Sequence, residues 1–295
     1  MIPKSLGFSP KSSEVGPSNE LKVLNFNYTI NICDIKLVET KAGNYWRESL
    51  AAWAIPKEIL DQAPEDPWIH PPVMFRLPDV IEDSISHQRA REVLTPGGSI
   101  LDIGCGGGIA AFAVVPPATH VIGVDHQPEM LEMFASSAKS RGITSEIYEG
   151  FWPALADTVP AADVVATHHV LYNVSPVEDF LLAMNAHARK RVIIEMPQLH
   201  PLTTAAPLWK HFWNLDRPIN PTPENLMDVL SELGIDAHLE LWNGSMRTES
   251  DLESQAKFSR IRLCLLEDRE AEVLEFLRLQ PKVAIRNLAT IWWDI

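Results

Sequence analysis

The chain has 295 residues, enough for one large domain with additions. Its 46% hydrophobic and 22% charged residues specify a packed, soluble core. A formal net charge of −14 repels phosphate backbones, and no basic patch offsets it, which argues against a nucleic-acid substrate. Cys33, Cys105 and Cys264 are odd in number, far apart and without metal-ligand spacing, so free thiols in a reducing compartment are expected and no metal. The N-terminus lacks the apolar segment of a secretory signal and no run of about 18 apolar residues occurs, so a cytoplasmic protein without a membrane span is expected. The three Asn-x-Ser/Thr triplets at Asn27, Asn173 and Asn243 are then chance matches.

Residues 1–20, rich in Ser, Pro and Lys, read as a disordered tail. The run "LNFNYTINI" alternates strictly, with Leu24, Phe26, Tyr28, Ile30 and Ile32 on one side, and predicts a half-buried strand that could pair at a sheet edge. Residues 44–63 read as helical, broken before Pro56, and a Pro-rich bend leads to a further helix over 79–94. From there strands and helices alternate. Strands are expected at "SILDI", "THVIGVD", "SEIYEG", "AADVVATHH" and "KRVIIEM". The helix "QPEMLEMFASSAKSRG" has Pro128 in its first turn and Gly142 past its end. In "SPVEDFLLAMNAHA", Ser175 and Glu178 predict a capping box around Pro176. The tail adds a capped helix ending at Gly234, a strand "AHLELW", helices near 250–266 and 269–279, and a closing strand "VAIRNLATIWWDI". Strands separated by helices imply a doubly wound parallel sheet, to which the last two strands can add at one edge.

Between the first strand and the next helix, glycine occupies 104, 106, 107 and 108. Each costs backbone entropy relative to alanine, and a plain turn does not need four. A strand, a glycine turn and a helix place bare N–H groups around a ligand at the carboxyl end of a sheet. A dinucleotide site wants a third glycine where Ile109 stands. At the end of the second strand Asp125, 23 residues beyond Asp102, can take two ribose hydroxyls, or cap the helix that follows.

The pattern Asp102-x-Gly104-x-Gly106-x-Gly108 resembles the first motif of the class I S-adenosylmethionine-dependent methyltransferases, with good agreement over about 95–200. The flanks "YWRESLAAWAIPKEIL" and "TIWWD" are similar to a poorly characterised bacterial-type branch of that superfamily. The resemblance implies a Rossmann-like α/β fold with a seven-stranded, mostly parallel sheet, an antiparallel edge strand and a helical N-terminal cover. It implies S-adenosyl-L-methionine as cofactor, held by Asp102, Gly104, Cys105 (a small filler), Gly106, Asp125, His126, Gly150, Phe151 and His168. One departure stands out. Where the family often has an acid after the third strand to hold the adenine amino group, this chain has Phe151 after Gly150. Backbone groups there would read the adenine edge, with Phe151 against its face and Trp152 either beside it or in the core.

Residues after the fourth strand line the boundary between cofactor and acceptor in the family. His168, His169, Tyr172 and Asn173 fall there. Successive strand residues point opposite ways, so one histidine is expected in the pocket. His168 is assigned to the cofactor, and His169 with Tyr172 to catalysis, His169 as base. Glu195 and His200, after the fifth strand, could reach the acceptor site or serve as structural loop residues, the second being the default reading. Trp209, Trp213, Trp292 and Trp293 are either core or an aromatic substrate patch.

The expected organisation is a tail (1–20), an N-terminal extension with cover helices (21–94) and the methyltransferase domain (95–295), with a substrate-cover insertion about 200–234. The expected function is methyl transfer to an O, N or C acceptor on a small molecule by direct displacement, without nucleic-acid or membrane partners. Two alternatives stay open: a non-catalytic cofactor- or partner-binding protein, and a nicotinamide-dependent oxidoreductase.

Overall fold

The computed structural model describes residues 38–68, 75–245, 251–281 and 285–295. The N-terminal tail and the alternating segment 24–32 lie outside these residues. In chain order the elements are α1 (Lys41–Ala51), α2 (Lys57–Leu60), α3 (Ile85–Val93), β1 (Gly98–Ile103), α4 (Ile109–Phe112), β2 (Ala118–Asp125), α5 (Pro128–Arg141), β3 (Thr144–Glu149), β4 (Ala162–His168), α6 (Glu178–His187), β5 (Ala188–Pro197), α7 (Ala206–Trp213), α8 (Pro223–Glu232), β6 (His238–Ser245), α9 (Leu252–Arg262), α10 (Glu270–Leu279) and β7 (Ile285–Asp294).

The seven strands form one sheet in the order β3-β2-β1-β4-β5-β7-β6. Strands β1 to β5 pair in parallel, and β7 runs antiparallel to both β5 and β6. This is the mostly parallel sheet with an antiparallel pairing at one edge. The continuous apolar runs of the central strands follow from burial on both faces. Alternate residues feed two cores: Leu101, Ile103, Val165, Val192 and Ile194 pack with Trp46, Leu50, Leu226 and Leu230, while Ile100, Val164, Ala166 and Ile193 pack with Ala90, Leu94 and Phe134.

A third, smaller core is helical. Ile55 just before α2, Ile59 of α2, Leu208 and Trp209 of α7, Ala256 of α9, Leu263, Cys264 and Leu265 of the turn after it, and Val273 of α10 pack together. Because β6 runs parallel to β5, Ser245 ends at the carboxyl edge of the sheet, and α9 and α10 are inserted there before β7 returns. The cap over this edge thus joins the N-terminal helices, the 200–234 segment and a late insertion. The buried Arg260 ties the late insertion to the N-terminal segment, reaching Glu270, Leu265 O and Glu65.

Two local expectations are corrected. Ser175 and Glu178 do not form a capping box: α6 begins at Glu178, and Val177 caps it without a side-chain bond. The fully buried Glu178 carboxylate instead accepts from Thr40 N (3.1 Å) and Thr40 Oγ1 (3.2 Å), which fastens the start of α1. The four tryptophans do not form one patch. Trp209 and Trp213 lie in the cap, Trp293 in the larger sheet core, and Trp292 on the opposite face of β7 beneath Arg89.

Candidate active site

The glycine turn follows β1, and the structure gives its glycines different reasons. Gly107 lies where the segment 75–77 crosses the turn. Its N–H donates to Phe75 O (3.1 Å), and an added Cβ would fall 2.2 Å from that oxygen. Gly108 has φ +94° and begins α4 against the rings of Phe112 and Phe134. Over Gly104 stands Val170. At Gly106, whose φ of +49° itself favours glycine, an added Cβ meets nothing nearer than the Phe75 side chain at 3.6 Å. The bare face offered to a ligand is therefore centred on Gly106. Most of the turn's glycine is demanded by the protein's own packing and backbone conformation.

Two carboxylates organise this turn. Asp102 is buried, and its Oδ2 accepts from Ala111 N (3.2 Å), tying β1 to the start of α4. Burial pushes its pKa up to about 8, with the nearby Asp125 adding and the Ala111 bond opposing. Asp125 ends β2, accepts from Gly106 N and from Gln127 N (both 3.0 Å), and stands 3.5 Å from His126 Nδ1. Asp125 does not cap α5, whose cap residue is Gln127, and each of its carboxylate oxygens keeps a further lone pair. His126 stacks on Phe151 at 4.7 Å between ring centroids, and Gly150 N donates to Asp125 O (2.9 Å), so the ends of β2 and β3 form one aromatic-walled corner. Cys105 is a buried filler, its thiol pKa raised well above the ordinary value by burial. Trp152 belongs to the core, with Nε1 donating to Phe180 O.

The second half of the site lies at the ends of β4 and β5. The expectation that the two histidines face opposite ways fails for a specific reason. His169 has φ +62°, a left-handed conformation that ends the strand alternation, and its N–H donates to Glu195 O (2.7 Å). Both rings converge on one buried carboxylate: His169 Nε2 is 3.2 Å and His168 Nδ1 3.9 Å from Glu195 Oε1. A third imidazole, His87 of α3, stacks on His168 at 5.4 Å. Burial pushes the pKa of His168 down to about 3, against the opposing pull of Glu195. Burial acts to raise the pKa of Glu195, but His168 and the His169 hydrogen bond outweigh it and hold the carboxyl well below the usual range. Tyr172 is fully buried. Its hydroxyl donates to Pro197 O (2.8 Å), its ring stacks on Trp46 and burial raises its pKa.

Neither His87 nor Glu195 carried a strong signal in the sequence. In the structure His87 closes a capping box with Ser84, and only the sheet register brings Glu195 opposite His168.

Comparison with known proteins agrees with this geometry. A methyltransferase-domain family matches residues 100–191, from within β1 into β5. An uncharacterized protein of Haemophilus influenzae is 28% identical over 212 residues, 67% of this chain and 76% of its own. A ubiquinone biosynthesis O-methyltransferase of Roseobacter denitrificans is 26% identical over 177 residues, 54% of this chain and 69% of that protein. A ribosomal protein L11 methyltransferase of Xanthomonas axonopodis pv. citri is 37% identical over 76 residues, which span only 22% of its length. The match to the methyltransferase-domain family covers the central strands and helices, residues 100–191, and the relatives extend the likeness to methyltransferases beyond it. Among the described residues no helix is long and apolar enough to cross a membrane, and no cluster of metal-ligating side chains occurs.

The residues present fit the superfamily's cofactor. A carboxylate with spare lone pairs, a glycine whose Cβ position is open and an aromatic-walled corner meet at the ends of β1, β2 and β3.

Proposed function

We propose that the protein transfers a methyl group from S-adenosylmethionine to a nucleophile on a small molecule by direct displacement. The reading rests chiefly on the Gly106 N–H bound to the Asp125 carboxylate, which links the open glycine to the end of the neighbouring strand. Asp125, Gly106, His126, Gly150 and Phe151 would hold the cofactor, with Asp102 bracing the turn. When bound, it supplies an activated methyl group on a cationic sulfur. The chain must then orient the acceptor, exclude water and receive a proton where the acceptor carries one; orientation alone can contribute roughly 7–11 kcal/mol.

Proton transfer falls to His169. With Glu195 ionised, His169 Nε2–H donates to it, so Nδ1 is the free acceptor on a ring that remains 31% exposed. Glu195 is a positioning residue that fixes the tautomer, by the logic of a buried carboxylate behind a catalytic histidine. A non-glycine residue in a left-handed conformation is the kind of strain that functional sites retain. His168, neutral and buried, supports Glu195 from the other side. Tyr172 receives no proton-transfer step, because its hydroxyl already holds Pro197 O. The small-molecule acceptor is supported by the O-methyltransferase relative, whose name assigns it to ubiquinone biosynthesis.

The test is calorimetry with S-adenosylhomocysteine and, separately, NADH, followed by a metabolite-extract screen for incorporation of labelled methyl groups. Binding of the first and not the second is expected. Tight NADH binding, or unchanged affinity in Gly106→Val, would remove the basis of the reading.

A further inference from the structure

A guanidinium partly withdrawn from water needs a counter-charge or a full set of acceptors. Arg217, in the segment between α7 and α8, has neither. Its Nη1 donates to Ala54 O (3.3 Å) and its Nη2 to Trp53 O, while the buried Nε–H has no partner. Among the described residues no carboxylate is in ion-pair range of it, and the adjacent Asp216 is held by Lys210. The cation lies 5.2 Å from the ring centres of both Trp53 and Trp209. Two indole faces attract a cation but bring no net charge.

A second unmet donor also packs against Trp53. His200 is 4% exposed and stacks on Trp53 at 4.1 Å. Its Nδ1 accepts from Leu202 N (3.2 Å), which places the ring hydrogen on Nε2, and Nε2 has no partner. Burial, with the Arg217 charge, pushes its pKa down to about 3, so the ring is a neutral donor. His200 lies three residues beyond the carboxyl end of β5, the strand that carries Glu195.

We propose that Arg217 and His200 anchor a carboxylate of the methyl acceptor, which makes the substrate a small organic acid. The proposal rests on the methyl-transfer reading of the same edge. A carboxylate is acceptor-only at both oxygens, can offer one to each free N–H and supplies the missing charge. One unmatched positive charge and two unmet donors suit a monoanion. A phosphate dianion would leave charge and oxygens unmatched. The Trp53 and Trp209 faces around Arg217 also make the site report on itself.

The test uses benzoate and its neutral counterpart benzamide, followed by tryptophan emission of the full-length protein. Benzoate should bind at least about tenfold more tightly than benzamide. Arg217→Met should weaken benzoate by about tenfold or more, and His200→Phe, which keeps a flat ring without the donor, by several-fold. Neither change should alter the calorimetric affinity for S-adenosylhomocysteine. The site is disproved by equal binding of the two probes, by unchanged benzoate affinity in His200→Phe and Arg217→Met, or by no benzoate binding to the folded wild type. Benzoate held through Arg217 without any S-adenosylhomocysteine binding would instead remove the methyl-transfer reading and leave the acid site standing.

Discussion

The two ends of the carboxyl edge treat buried charge in opposite ways. At β1 and β2 the buried groups are acids: burial beside Asp125 pushes the pKa of Asp102 up to about 8, and the imidazole of His126 stands next to Asp125. At β4 and β5 the groups are imidazoles around one ionised carboxylate, with His168 kept neutral. Burial penalises whichever form is charged, so an acid is pushed up and a base is pushed down by the same desolvation. The first end is therefore prepared for a cationic ligand, whose arrival favours ionisation of Asp102. At the second end burial resists a proton on His168, and under the proposed function the proton is taken by His169.

The sharpest way to break this contrast is Gly106→Val. It should abolish S-adenosylhomocysteine binding in calorimetry while circular dichroism shows a folded protein, because the side chain fills the only open glycine of the turn. Next comes Glu195→Gln, expected to lower kcat by about 10²-fold or more. The amide can still accept from His169, so a shifted pH–rate profile, rather than lost protein, would identify the positioning role. An unchanged profile would remove His169 from proton transfer. Gly107→Ala addresses packing alone. Its Cβ meets backbone rather than a mobile side chain, so a loss of about 1–3 kcal/mol in denaturant unfolding is expected.

In pH dependence the signs differ between the two ends. Asp102 has a raised pKa, so its contribution is full below pH 4 and is lost as pH rises towards 8. His168 and His200 have depressed values, so their contribution is full above pH 6.5 and is lost as pH falls towards 3. Each group changes stability by roughly 1.4 kcal/mol per pH unit while it titrates. Unfolding curves of Asp102→Asn should stay flatter than wild type between pH 6.5 and 8. His168→Gln should flatten the acid limb. Parallel curves for wild type and both variants would show that burial does not set these charges.

The sequence by itself determined the order of strands and helices, the glycine turn after β1 and the acid at the end of β2. Those features are local: apolar runs, turn residues and caps are set within a few residues of chain, and the motif spacing is fixed by a single strand–turn–helix unit. The tertiary structure alone decided what the glycines face, because the segment 75–77 and Val170 reach the turn from distant parts of the chain. It decided that both histidines meet Glu195, through one left-handed residue and a register between strands. It also decided that α9 and α10 join the cap, and that Arg217 stands between two indoles without a counter-ion. Burial and pairing depend on which elements meet in space, and residues as far apart as Trp53, His200 and Arg217 carry no sign of one another along the chain.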